Sequence, residues 1–176
     1  MRRRAFGTAI AAVFLALVCR DVRGATSAPE PCSAPEYKQF DFWLGAWDVS
    51  PSPGQPHAGM KDATSNENKI LGGCVLIENY NEKEGFSGKS LNFYDGNLRK
   101  WRQLWTDSAG NMSEFSGEFK DGAMRFEGES HTAGGKKVFR RMILTPGPDT
   151  VRQYSEISAD GKTWKLFYDL TYDRKK

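Results

Sequence analysis

The chain has 176 residues, with 25 Lys and Arg against 22 Asp and Glu, but its first 24 residues hold five of the Arg and one of the Asp, so the rest is close to neutral. Acidic and basic residues are interspersed there, which leaves no cationic face for nucleic acid or an anionic membrane surface. With 12% aromatic residues, 18 Gly, 8 Pro and no low-complexity tract, the composition excludes a disordered chain and fits one packed, turn-rich domain.

Residues 1–24 are expected to be an export signal: Arg2, Arg3 and Arg4 precede an apolar run over 5–19, and Val22 and Gly24 are small enough to flank a cleavage site before Ala25. A membrane anchor is the weaker reading, because that run falls short of the roughly 20 apolar residues a spanning helix needs. Arg3-Arg4-Ala5-Phe6 also resembles a twin-arginine export motif, so the route stays open. Cys19 closes the apolar run as a lipid acceptor would, yet Val18 is too bulky for the position before it. A secreted or periplasmic destination follows, and with it an oxidising compartment. Two cysteines remain after cleavage, Cys32 and Cys74, and one disulfide between them is expected. A metal site is not expected: the two cysteines and the distant His57 and His131 lack the short paired spacings of a zinc site.

Residues 25–36, rich in Pro, Ser and Ala, read as a flexible leader, and the domain is expected over 37–176. A short helical turn fits 36–44. Beyond it, Asp95-Gly96, Asp121-Gly122, Gly134-Gly135 and Asp160-Gly161 punctuate runs with period-2 alternation, the signature of strands with one buried face. Ten strands are predicted, near 43–50, 58–70, 73–82, 88–95, 99–107, 111–120, 123–131, 136–145, 151–158 and 162–173. Trp101, Gln103 and Trp105 share one face of theirs, Phe115, Gly117 and Phe119 another, then Met124 with Phe126, and finally Trp164, Leu166, Tyr168, Leu170 and Tyr172. Short hairpins between so many strands predict an all-β, up-and-down antiparallel barrel, because closure removes the unpaired edges of an open meander. A two-sheet sandwich would need longer crossovers.

Phe40-Asp41-Phe42-Trp43-Leu44-Gly45-Ala46-Trp47-Asp48-Val49 places Gly-x-Trp at the first strand. This resembles the opening signature of the calycins, the lipocalin and fatty-acid-binding-protein group. Gly73-Cys74 with Glu78, then Tyr94-Asp95, Trp101, Gln103, Trp105 and Asp107, and Asp160-Gly161 with Trp164 extend the similarity to secreted bacterial lipocalin-like domains of uncharacterised function, over about residues 36 to 174. The resemblance implies a calycin-like barrel with an interior cavity, and carries no activity with it. It also implies that Gly45 lets the backbone close the barrel floor, that Trp47 plugs it, and that an Arg of the last strand stacks on that Trp; Arg174 is the candidate, the alternative being a solvated tail charge, since two Lys follow it.

No nucleophile elbow, phosphate loop or metal cluster is present in the sequence, and no cofactor is expected. His131 follows a strand, where a turn residue is the ordinary reading and a haem ligand the exceptional one. Asn111-Met112-Ser113 is a formal glycosylation sequon, relevant only in a eukaryotic host. The informative residues are polar ones in the apolar register of their strands: Glu78, Gln103, Arg140 and Gln153. Inside a barrel each needs a partner, since an unpaired buried polar group costs about 1–3 kcal/mol. Either Glu78 and Arg140 pair with each other or the amides in a closed network, or they orient a ligand, or Glu78 works as an acid or base. Tyr94, Trp101, Trp105 and Tyr168 complete the candidate ligand wall. Three functions remain open: a carrier of a small, mainly apolar molecule with a polar group, an enzyme acting on one, or a filled barrel that serves as an interaction module. Oligomeric state is not legible.

Overall fold

The computed structural model describes residues 30–176; the expected export signal, and the expected leader up to residue 29, lie outside the described residues. Ten antiparallel strands follow one another round a closed barrel: β1 (Gly45–Pro51), β2 (Ala63–Ile70), β3 (Val75–Glu82), β4 (Ser87–Asp95), β5 (Lys100–Asp107), β6 (Met112–Lys120), β7 (Ala123–His131), β8 (Lys137–Pro146), β9 (Thr150–Ser158) and β10 (Lys165–Arg174). Each pairs with the next, and β1 pairs with β10 to close the ring. Among the described residues no helix is long and apolar enough to cross a membrane.

The chain enters through two short 3-10 turns, Pro35–Lys38 and Asp41–Trp43, so Trp43 belongs to a turn and not to the first strand. The reason is packing: Phe40 and Trp43 drop fully buried into one end of the barrel, stacked at 5.0 Å, with Phe40 edge-on to Trp101 at 5.5 Å. Trp47 on β1, Phe126 on β7 and Leu144 on β8 complete this apolar floor. Each such side chain contributes about 1.5–3 kcal/mol of burial. The barrel's stability is therefore concentrated at the end where β1 starts. Cys32 is bonded to Cys74, at the turn before β3, with Cα atoms 5.0 Å apart. The bridge ties the entering chain to the same end.

Gly45 starts β1 at φ +126, and a Cβ there would lie 2.6 Å from Arg174 Nη1. Only glycine leaves room for what happens next to it. The Arg174 guanidinium sits 4.2 Å from the Trp47 ring centre and donates to the Leu44 carbonyl at 2.9 Å. Trp47 in turn donates its indole proton to the Trp43 carbonyl at 3.0 Å.

Two local expectations change. β2 starts at Ala63, not near 58, because His57 (φ 62) and Gly59 (φ 78) hold left-handed backbone in a turn-filled loop. β10 starts at Lys165, and its register slips between Leu166 and Tyr168. That bulge reverses parity, so Leu166 faces outward and Trp164 packs under the Arg141 guanidinium at 4.3 Å, while Tyr168, Leu170 and Tyr172 face in as expected. In β4 the apolar pattern is inverted: Ser90 and Asn92 are fully buried, whereas Leu91 and Phe93 are 39% and 37% exposed.

Candidate functional site

Above the aromatic floor the lumen is open. A cavity of about 540 Å³ runs from the middle of the barrel to its far end, where the β3–β4, β5–β6 and β7–β8 hairpins form the mouth. Glu78, Gln103, Trp105, Arg140, Gln153 and Tyr168 all line it. Tyr94 and Trp101, expected in the ligand wall, are floor residues instead: Trp101 donates to Gln39 Oε1 at 3.0 Å, and Tyr94 packs edge-on against Tyr37 at 5.5 Å. The alternation that placed Trp101 on the inner face is right, but it says nothing about depth. The entering turn covers that ring.

One wall is a continuous polar chain. Gln103 Nε2 donates to Asn92 Oδ1 at 2.7 Å, Asn92 Nδ2 to Ser90 Oγ at 2.8 Å, and Ser90 Oγ to Glu78 Oε2 at 2.7 Å. From the other side, the Tyr172 hydroxyl lies 2.8 Å from Gln153 Oε1 and 3.4 Å from Glu78 Oε1. It has one proton to serve both. Gln153 spends its own amide on the Met142 sulfur, at 2.8 Å. The two amides and Glu78 thus belong to a shared network, but Arg140 does not. Of the alternatives the sequence left open, a direct Glu78–Arg140 pair is absent, because β3 and β8 stand on opposite sides of the ring.

Glu67 was not legible as an interior residue. Its strand, ATSNENKI, has no apolar alternation to set its parity, and the signal that would have placed it is its pairing register opposite Glu78. Both carboxyls are buried, at 1% and 2% exposure. Burial pushes each well above the usual carboxylate range, and Glu78 raises Glu67 further by like-charge repulsion. Glu67 bonds to the Ser65 hydroxyl, and its Oε2 has no partner. It sits beside Glu78 on the neighbouring strand and is not part of the cavity lining.

Arg140 is 9% exposed. Its Nη2 donates to Ser155 Oγ at 3.3 Å, its Nε has no partner, and the guanidinium lies 3.9 Å from the Phe167 ring centre, with Tyr168 at 5.7 Å and Phe115 at 6.0 Å. Phe167 is the bulge residue of β10, which is how an out-of-parity aromatic reaches the lumen. Burial lowers the guanidinium's pKa, but the group stays charged. At the mouth, Asp107 accepts from the backbone of Ala109 and Asn111 and from the Asn111 side chain, which fixes the β5–β6 turn and places the sequon asparagine on the rim. His131 ends β7 on the same rim, and His57 lies in the β1–β2 loop. Compared with known families and curated proteins, the chain matches no family model and no curated protein.

Proposed function

We propose that the chain is a secreted or periplasmic, calycin-like barrel that takes a small, mainly apolar molecule with a polar group into its lumen. The observation that carries this reading is the open cavity of about 540 Å³, walled by Phe115, Val138, Leu170 and Trp105 and carrying a buried Arg140 whose Nε has no partner and which is in no ion pair among the described residues. Small-molecule sites fall at roughly 300–1,000 Å³, mostly apolar with a few placed polar groups. Such a volume also speaks against the filled barrel. Gly45, Trp47 and Arg174 at the floor support the calycin-like reading, and residues 1–24, read as an export signal, support the destination.

A one-site titration with 1-anilinonaphthalene-8-sulfonate, read by probe emission and by quenching of Trp105, tests it. Wild type is expected to bind one probe, and Val138→Trp, which fills the lumen, to bind none while keeping its circular dichroism. A folded wild type that binds no probe, or a Val138→Trp variant that binds as well, would overturn the proposal. Acid–base chemistry on the bound molecule is the second reading, favoured by Glu78 lining the cavity with its carboxyl pushed up to about 7 by burial. Its signature is turnover lost in Glu78→Gln with binding kept.

A further inference from the structure

The cavity wall holds one buried acid and one buried base that meet only neutral partners, whereas Glu82, Asp107 and His131 line it at the rim. Arg140 has Ser155 and three aromatic rings; Glu78 has Ser90 and Tyr172. Neither appears in any ion pair among the described residues. The groups that face Glu78 are Glu67 from β2, Tyr172 and Tyr168 from β10 and Tyr80 on its own strand, with no cation among them. An uncompensated buried charge is costly in either sign. Here a base and an acid are both present and kept apart, the acid with its carboxyl raised by burial.

Their separation is built into the topology. β3 and β8 are five strands apart in either direction round a ten-stranded ring, so the two side chains face each other across the lumen. They also differ in depth, as their contacts along β10 show: Arg140 meets Phe167 and Tyr168 near its mouth end, whereas Glu78 meets Tyr172, which packs edge-on against the floor residue Trp43 at 5.7 Å. Aromatic walls accompany both: Phe167, Tyr168 and Phe115 round Arg140, Tyr80, Trp105 and Tyr172 on the Glu78 side.

We propose that the lumen binds a molecule with an acidic group and a protonated amine on one apolar body, the acid received by Arg140 toward the mouth and the amine by Glu78 deeper in. This rests on the lumen being a ligand site. A plain alkyl carboxylate would satisfy Arg140 and lay an apolar tail over Glu78. A plain amine would do the reverse. Only the two-headed molecule answers both groups, and the aromatic faces beside Glu78 add attraction for an ammonium. Its arrival favours the ionised carboxylate over the protonated one, so the complex sheds a proton on forming.

The experiment is displacement of 1-anilinonaphthalene-8-sulfonate from the mature protein by ω-amino acids with five, seven and eleven methylenes, each beside the alkanoate and the alkylamine of the same length. At least one amino acid is expected to displace the probe at about tenfold lower concentration than either single-headed counterpart. Glu78→Gln should bring it to the level of the alkanoate without weakening the alkanoate itself, and Arg140→Met to the level of the alkylamine. Calorimetry in two buffers of different ionisation enthalpy should show proton release with the amino acid, absent in Glu78→Gln. If the wild type binds probe and alkanoate but ranks no amino acid above them, the two-headed ligand is wrong and the lumen reading stands. If nothing enters, both fall.

Discussion

Gly45→Ala tests the barrel floor at its tightest point. The added methyl would lie 2.6 Å from Arg174 Nη1, on a backbone held at φ +126. Backbone strain of this kind costs about 1–3 kcal/mol. The methyl also expels the guanidinium from its place 4.2 Å over the Trp47 ring and breaks its bond to the Leu44 carbonyl. At an exposed site the stack is worth about 0.5–1 kcal/mol. The substitution should therefore cost about 2–4 kcal/mol in urea unfolding followed by tryptophan fluorescence. Arg174→Ala removes the second contribution alone. In the double variant the loss of Arg174 has already been incurred, so the two costs should fall short of their sum by about 1 kcal/mol. Additive costs, or a Gly45→Ala change below about 0.5 kcal/mol, would refute the clamp while leaving the barrel untouched.

Replacing Cys32 and Cys74 together by Ser should cost at most about 4 kcal/mol, the entropy of a loop closed over a sequence separation of 42; thiol titration of the denatured, unreduced chain from Ala25 onward should find no free thiol. Gln103→Leu should destabilise by about 1–3 kcal/mol, because it strands Asn92 Oδ1, whereas Arg102→Ala on the outer face, paired only with Glu114, should cost under about 1 kcal/mol. Glu67 holds its proton better folded than unfolded, so its contribution to stability is full below the ordinary carboxyl value of 4.5 and drains away as pH rises through the folded value. Unfolding should therefore cost less at pH 9 than at pH 5, Glu67→Gln should flatten that fall, and equal stability of the wild type at both pH values would reject the raised carboxyl.

The barrel was legible because its hairpin turns and period-2 strands are local signals, and Trp101, Gln103 and Trp105 face inward on β5 as their alternation requires. Depth was not legible, since inner-face parity is the same at the floor and at the mouth; Trp101 and Gln103 are neighbours on one face, yet one packs under the entering turn and the other lines the cavity. Parity itself failed where composition carried no contrast or reversed it. β2 has almost no apolar residues, which hid Glu67. In β4 the apolar Leu91 and Phe93 point outward, so Ser90 and Asn92, the middle of the chain from Gln103 to Glu78, had the pattern of solvent-facing residues. The bulge at Phe167 broke the alternation of β10 and turned Trp164 and Leu166 outward.

The inversion in β4 has a physical reading once the network is drawn. Ser90 and Asn92 carry no burial energy comparable to the Leu91 and Phe93 side chains they displace from the interior, so an inner wall made of them weakens the barrel. Their hydrogen bonds hold the Glu78 carboxyl in place and present its face to the lumen. The stability forgone in the middle of the barrel is offset at the floor, where Phe40, Trp43, Trp47 and Phe126 are shut away from water by the entering turn. Division along the axis has a consequence for variation: side chains near the mouth can change the lumen's chemistry without touching the contacts that keep the strands closed, whereas Glu78 and its donors sit at the boundary, where a polar change is felt both as binding and as folding.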